Sequence, residues 1–310
     1  MAVSTLYYTH PSSLEHDTGP GHPECIARLE AVEVALAGPA FGGLVRREAP
    51  RGSVWDIKRV HDDAYIQSVF AAVPEAGYAR LDADTVLSPG SGEAALYAVG
   101  GVCAAVDAVI GGEADNAFCA LRPPGHHAER DHAMGFCLFN NAAIAAFHAL
   151  ELPGIERVAV MDFDVHHGNG TQQAFWDHEN LMYASTHQSP CFPGSGEERE
   201  RGAFGNIVNA PLPPGAGSDD FRDAFGFIRP ALKDFAPDLL LISAGFDAHA
   251  ADPLAQLHLH ENDFAWVTAQ LLAIARASAA GRVVSVLEGG YDLSALARSV
   301  EAHVAALMDA

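Results

Sequence analysis

Positive charge is scarce in this chain. Against 40 aspartates and glutamates stand 18 lysines and arginines, a formal net charge of −22 over 310 residues. A protein that grips nucleic acid directly needs a basic footprint, so direct nucleic-acid binding is not expected. The acidic field suits solubility and attracts a cationic substrate or a basic protein tail. Cysteine is also sparse. Cys25, Cys103, Cys119, Cys137 and Cys191 are odd in number, and no two form a C-x-x-C pair. That argues against a disulfide framework and against a cysteine-held zinc. Residues 1–10 lack a basic region followed by an apolar run, so no secretory leader is expected. No membrane span is expected either. The nearest candidate, residues 94–110, is interrupted by Gly100, Gly101 and Asp107. These absences together predict a reduced, cytoplasmic setting, with the oligomeric state left open.

Apolar residues, by contrast, make up 49% of the chain, enough to fill the core of one large α/β domain over residues 1–310. Apolar runs predict strands at 3–8, 117–121, 158–161, 181–185, 206–212, 239–243 and 283–287. Helical periodicity predicts helices at 25–37, 62–70, 92–110 and 140–150. Three more are expected from caps at Ser218 or Asp219, at Asn262 and at Ser294. Strands alternating with helices predict a mostly parallel sheet with helices on both faces.

The stretch from Val158 to Gly170 carries the strongest signal. It begins as a buried strand, then meets Asp162, Asp164, His166 and His167 before a Gly-Asn-Gly turn. Burying such groups without partners costs several kcal/mol each, and a divalent cation compensates. Alternate side chains of an extended segment share a face, so Asp162, Asp164 and His166 point one way. The bland reading is a polar loop with satisfied histidines. Asp164 and His166 are the expected ligands, and Asp162, at the buried end, an orienter of a neighbouring imidazole. A second predicted strand exits into Asp247, which completes an Asp-His-Asp set unless it merely caps a turn. Three protein ligands leave the ion open to water and substrate. Another strand leads to His126 and His127, which follow Pro-Pro-Gly. One suits a general base and the other an electrostatic partner, with Asp162 and Asn169 available to fix their far nitrogens. A fourth exit carries Tyr291 after Gly289-Gly290, either a core tyrosine or a donor to an oxyanion. Phe136 and Phe192 lie in loops, as core anchors or as the sides of a slot for an aliphatic chain. In open α/β sheets, ligands bind outside the carboxyl ends of the strands, where all four exits fall.

Five motifs then coincide: R-P-P-G-H-H-A-E-R-D at 122–131, G-F-C-L-F-N-N at 135–141, D-F-D-V-H-H-G-N-G-T at 162–171, S-A-G-F-D-A-H at 243–249 and L-E-G-G-Y at 287–291. In this order they resemble the zinc-dependent histone deacetylase family, whose superfamily includes the acetylpolyamine amidohydrolases. The resemblance implies a three-layer α/β/α arginase-deacetylase fold with a central eight-stranded sheet. It implies Zn²⁺ (Fe²⁺ being the alternative) on Asp164, His166 and Asp247. It makes His127 the general base and acid, His126 the partner of Asp162, and Tyr291 the carbonyl-polarising phenol. Asn169, where one branch carries aspartate, is similar to the class II branch. Phe136 and Phe192 match tunnel walls, Gly289 a backbone contact to the substrate's chain, and Arg28 the basic residue behind the metal. A K⁺ ion is implied at the backbone of Asp162, Asp164 and His166 with Ser185 and Thr186. The chain departs from the family at Ala255-Gln256, where relatives usually carry Gly-Gly, and in a short loop after Thr186; both reshape the pocket mouth. The expected activity is removal of acetyl or similar acyl groups from lysine side chains of proteins or peptides. Deacetylation of small amines such as acetylpolyamines, and non-catalytic acyl binding, are the rival readings. An arginase-like binuclear hydrolase is disfavoured, since the sequence offers one clear three-ligand set, not two.

Overall fold

Each apolar run is followed by a segment that returns the chain to the same end, so successive strands enter one sheet in parallel. A computed structural model describes residues 3–309. Its strands are β1 (Thr5–Thr9), β2 (Val45–Glu48), β3 (Ala79–Arg80), β4 (Val86–Leu87), β5 (Asn116–Cys119), β6 (Val158–Asp162), β7 (Leu181–Gln188), β8 (Ile207–Leu212), β9 (Leu239–Ala244) and β10 (Val283–Leu287). Its helices are α1 (Ile26–Leu36), α2 (Val54–Ile57), α3 (Asp63–Ala72), α4 (Ser91–Ile110), α5 (Asn141–Leu150), α6 (Asn169–Phe175), α7 (Ser218–Phe235), α8 (Glu261–Ser278) and α9 (Leu293–Met308). Eight strands form the main sheet in the order β2-β1-β5-β10-β9-β6-β7-β8, and β3 and β4 make a separate hairpin. All pairings in the main sheet are parallel.

Side-chain alternation divides the core between two faces. Ala159, Met161, Leu240 and Ile242 pack against α1, α7, α8 and α9. Val158, Val160, Leu239 and Leu241 pack against α4, α5 and Phe175 of α6. The three-layer α/β/α arrangement expected from the sequence is therefore present.

Several boundaries differ from the sequence reading. Strand β2 was not expected, because its Val-Arg-Arg-Glu is largely exposed at the sheet edge and shows no apolar run. The caps of α7, α8 and α9 are Gly217, His260 and Asp292, each one or two residues before the expected residue. The predicted Gly-Asn-Gly turn is instead the start of α6, with Asn169 as its first residue. Helix α4 is 20 residues long and apolar enough by length and composition to cross a membrane. Its apolar character is explained by burial: Gly100 and Gly101 let it press against 49–52 and Leu121, where a Cβ on Gly100 would stand 2.1 Å from the Pro50 carbonyl oxygen.

Behind the carboxyl ends of β5 and β10 lies a buried charged cluster. Glu24 Oε1 accepts from Arg28 Nη1 at 2.9 Å and Glu24 Oε2 from Arg122 Nη2 at 2.7 Å, and all three side chains are fully buried. Burial alone would raise the Glu24 carboxyl, but the Arg122 and Arg28 guanidiniums outweigh it and hold it at about 2, below its ordinary 4.5. A carboxyl lowered on folding contributes stability above its unfolded value and loses it as pH falls to the folded one. The contribution is on the order of 3 kcal/mol. Urea-unfolding midpoints measured between pH 5 and 2 are expected to fall with acid in the wild type and to fall less steeply in Glu24→Gln. The variant is also expected to be less stable at neutral pH, by roughly 3–5 kcal/mol, because two buried guanidiniums lose their counter-charge. Equal acid slopes would show that Glu24 is not the titrating group.

Candidate metal centre and its surroundings

The four strands whose exits carried the polar motifs, β5, β10, β9 and β6, are consecutive in the sheet. Their carboxyl ends therefore deliver His126/His127, Gly289/Tyr291, Asp247 and Asp164/His166 to one place. Strand β6 ends at Asp162, so the row Asp164–His166 is held by hydrogen bonds rather than by the sheet ladder. The Asp164 N–H donates to Asp162 Oδ1 at 3.1 Å, that of Val165 to Asp247 Oδ1 at 2.9 Å and that of His166 to Asp164 Oδ1 at 2.8 Å.

Asp164, His166 and Asp247 are buried, and one donor atom from each lies within 4.8 Å of the other two. His166 Nδ1 stands 3.2 Å from Asp164 Oδ1 and 3.1 Å from Asp247 Oδ2. Burial opposes a charged imidazole there, but hydrogen bonds to Asp164 and Asp247 hold His166 well above its ordinary value. Burial and the neighbouring Asp164 charge push Asp247 up to about 7. Two carboxylates closing on one imidazole nitrogen in a dry site are a cluster short of positive charge. Two oxygens and one nitrogen suit a divalent transition ion and leave it an open position.

The tandem histidines have different partners. His126 Nδ1 pairs with Asp162 Oδ2 at 3.0 Å, and His127 Nδ1 with Asn169 Oδ1 at 2.8 Å. Burial disfavours the His126 cation, but Asp162, Asp164 and Glu288 outweigh it and push that imidazole up to about 10. Burial, then the positive charges of His126 and His166, drive His127 well below its ordinary value, and the neutral Asn169 offsets little of this. The two rings, 4.0 Å apart between centroids, are thus pushed in opposite directions. Asp162 and Asn169 sit where the sequence reading put them. The Asn169 amide is fixed in turn by Glu129 Oε1, which accepts its Nδ2 at 2.6 Å.

A cavity of about 210 Å³ opens beside His127 and His166, lined also by Phe136, Phe192, Tyr291, Gly135, Leu254 and Asp84. Phe136 and Phe192 are therefore walls. Phe136 has φ 70°, uncommon for a residue with a Cβ, after Gly135 at φ 53°. A Cβ on Gly135 would fall 2.5 Å from the His127 ring. The Tyr291 N–H donates to Asp252 Oδ2 at 2.7 Å, its ring meets Phe136 edge-on at 5.8 Å, and the Arg28 guanidinium lies 5.0 Å from its centroid.

Arg28 is wholly buried and does not line the cavity. Its Nε donates to the Gly290 carbonyl at 2.6 Å, so it supports the Tyr291 loop from behind. Gly289 uses both backbone polar groups internally: its N–H donates to Asp164 Oδ2 at 2.8 Å and its carbonyl accepts from Phe246 N at 3.0 Å. Its role is space, since a Cβ there would lie 2.2 Å from Asp247 Oδ2 and 2.6 Å from Asp164 Oδ2. Ser185 pairs with Asp162 across β6 and β7, which joins the two segments expected to hold potassium. The Ser185 hydroxyl pairs with His187 Nδ1 at 2.8 Å, whereas that of Thr186 is buried with no hydrogen-bond partner among the described residues.

Sequence reasoning missed Asp84, Leu254 and Glu288. Asp84 lies between β3 and β4, a hairpin too short to signal itself. Glu288 was read as part of a motif without a role. Its Oε2 accepts from Gly125 N at 2.7 Å and His126 N at 3.2 Å, holding the tandem-histidine loop onto β10.

Comparison with known proteins agrees with this geometry. Residues 22–307 match the histone deacetylase domain model. The chain is 46% identical over 252 residues to the histone deacetylase-like amidohydrolase of Pseudomonas aeruginosa, covering 79% of this chain and 66% of that protein. It is 37% identical to the chloroplastic histone deacetylase 14 of Arabidopsis thaliana, covering 99% and 78% respectively. The crystal structure of the HDA15 HD domain aligns with a TM-score of 0.94 at 33% identity, covering 99% of this chain and 88% of that one. These relatives support amide hydrolysis as the reaction. Likeness of sequence and of fold runs unbroken through the segment that holds every motif, and the chain belongs to the histone deacetylase domain family.

Proposed function

We propose that this protein is a zinc-dependent deacetylase that removes acetyl or similar short acyl groups from lysine side chains of peptides or proteins. The observation that carries the reading is the convergence of Asp164, His166 and Asp247 beside a cavity that also holds His127 and Tyr291. When bound by these three residues, Zn²⁺, or Fe²⁺ in its place, supplies Lewis-acid polarisation of the amide carbonyl and acidifies water. Neutral His127 takes the proton from the attacking water and returns it to the departing amine nitrogen. Cationic His126, backed by Asp162, stabilises the negative charge that builds beside it. The Tyr291 phenol donates to the carbonyl oxygen as it becomes an oxyanion. Phe136 and Phe192 sandwich the methylene chain and exclude water. The unpartnered Thr186 hydroxyl, next to the Asp162–His166 backbone, supports a structural K⁺ at that place.

A second reading, hydrolysis of small acetylated amines, is favoured by one observation: the Asp84 carboxylate in the cavity lining of an acidic protein. Purified, metal-loaded protein assayed against acetyl-lysine peptides and acetylpolyamines separates the two by kcat/KM. Activity on neither would overturn both.

The mechanism predicts that His127→Ala and Tyr291→Phe each lower kcat by roughly 10²–10³ in steady-state assays, the size of losing one acid–base group or one oxyanion donor. Near-wild-type turnover in both variants would sink it. Exhaustive chelation is expected to abolish activity, and added Zn²⁺ to restore it. Gly289→Ala is expected to keep the fold by circular dichroism yet lose at least tenfold in metal affinity, measured as bound metal against a competing chelator, because its Cβ displaces both carboxylates.

A further inference from the structure

The segment Ala255-Gln256, where the family resemblance leads one to expect Gly-Gly, is bonded to Gln188. Gln188 is buried at the end of β7, and its N–H donates to the carbonyl of Val165, between two of the metal-centre residues, at 2.8 Å. Its side-chain Nε2 donates to Gln256 Oε1 at 2.7 Å, and its Oε1 accepts from the Gln256 backbone N–H, also at 2.7 Å. The same Nε2 lies 3.3 Å from the Pro190 carbonyl oxygen, within the loop that carries Phe192. Gln256 lies two residues after Leu254, which lines the cavity together with Phe192. The near end of that segment is pinned as well: Asp252 accepts the Leu254 N–H at 3.0 Å on Oδ1 and the Tyr291 N–H at 2.7 Å on Oδ2. Leu254 is therefore suspended between two fixed points, one at Tyr291 and one at Gln188.

We propose that the Gln188–Gln256 pair is a specificity-determining clasp that sets the span between Phe192 and Leu254, and so admits slender alkyl chains in preference to broad ones. A pair of reciprocal amide bonds holds both distance and orientation, which one bond does not. Glycine at position 256 would keep only its backbone half of the clasp. The clasp rests on the deacetylase reading for its substrates but not for its existence.

The test uses full-length protein, Gln188→Ala, which removes both bonds, Gln256→Ala, which removes one, and the double variant. For an acetyl-lysine peptide, Gln188→Ala is expected to raise KM about five-fold and Gln256→Ala about two-fold, with kcat within about two-fold of wild type. The double variant should match Gln188→Ala alone. The preference for an acetylated alkylamine over an acetylated arylamine should fall by a similar factor. Hydrogen exchange read by mass spectrometry gives the second arm: Gln188→Ala should speed exchange in residues 252–257. Effects that multiply in the double variant, a loss confined to kcat, or unchanged exchange in 252–257 would each overturn the clasp. A wild type that hydrolyses no acetylated substrate would overturn the function proposed above, and the exchange arm would still decide the clasp.

Discussion

Glu24, Asp162, Asp164, Asp247 and Glu288 are carboxylates that water scarcely reaches, gathered at the carboxyl end of a single sheet. So much buried negative charge would be prohibitive without compensation. Nearly every unusual feature nearby is a form of that compensation. Arg28 and Arg122 take Glu24. His126 takes Asp162. Backbone N–H groups of Gly125 and His126 take Glu288, and that of Gly289 takes one oxygen of Asp164. What is left over, Asp164 with Asp247, converges on the nitrogen of His166, and there a cation belongs.

The same constraint divides the labour of the tandem histidines. Adjacent in sequence and in contact as rings, they would be near-equivalent in water. Here an aspartate behind one and an amide behind the other split their charge states. Burial and the neighbouring His126 charge both push His127 down, so the environment of each ring bears on the other. Such pairs of titratable groups pushed apart by their surroundings are a general mark of acid–base sites. The glycines follow the same logic in space. Gly135 and Gly289 are where backbone must touch the His127 ring and the carboxylates, and no side chain fits.

Much of this was legible in the sequence, because buried strands running into charged residues are hard to read in any other way. The strand exits and the candidate donor set followed from chemistry and alternation, whereas the pairing of His126 with Asp162 came from the family resemblance. What escaped did so for physical reasons. An edge strand such as Val45–Glu48 has no need of apolar residues. Helix caps fall on Gly217 and His260, which lack the usual capping side chains, so stronger capping residues one or two positions on mislead. That Arg28 backs the Tyr291 loop, and that Gly289 leaves room for two carboxylates, shows only in three dimensions. Asp84 and Leu254 reach the cavity only through tertiary packing, and nothing local marks them. Nothing in the sequence ties Gln256 to its partner Gln188, 68 positions away.

Strand β10 lies in the middle of the sheet, between β5 and β9, although it follows the sheet's other seven strands in the chain. During synthesis the chain must therefore keep two half-sheets, β2-β1-β5 and β9-β6-β7-β8, each with a bare inner edge. Open parallel edges invite mispairing, so the nascent protein is exposed to aggregation until β10 leaves the ribosome. His126 and His127 ride on one half and Asp164, His166 and Asp247 on the other. A ribosome-bound fragment that stops short of residue 283 thus holds all of these groups yet has no hydrolytic centre, and chemistry begins only when the closing strand drops into place.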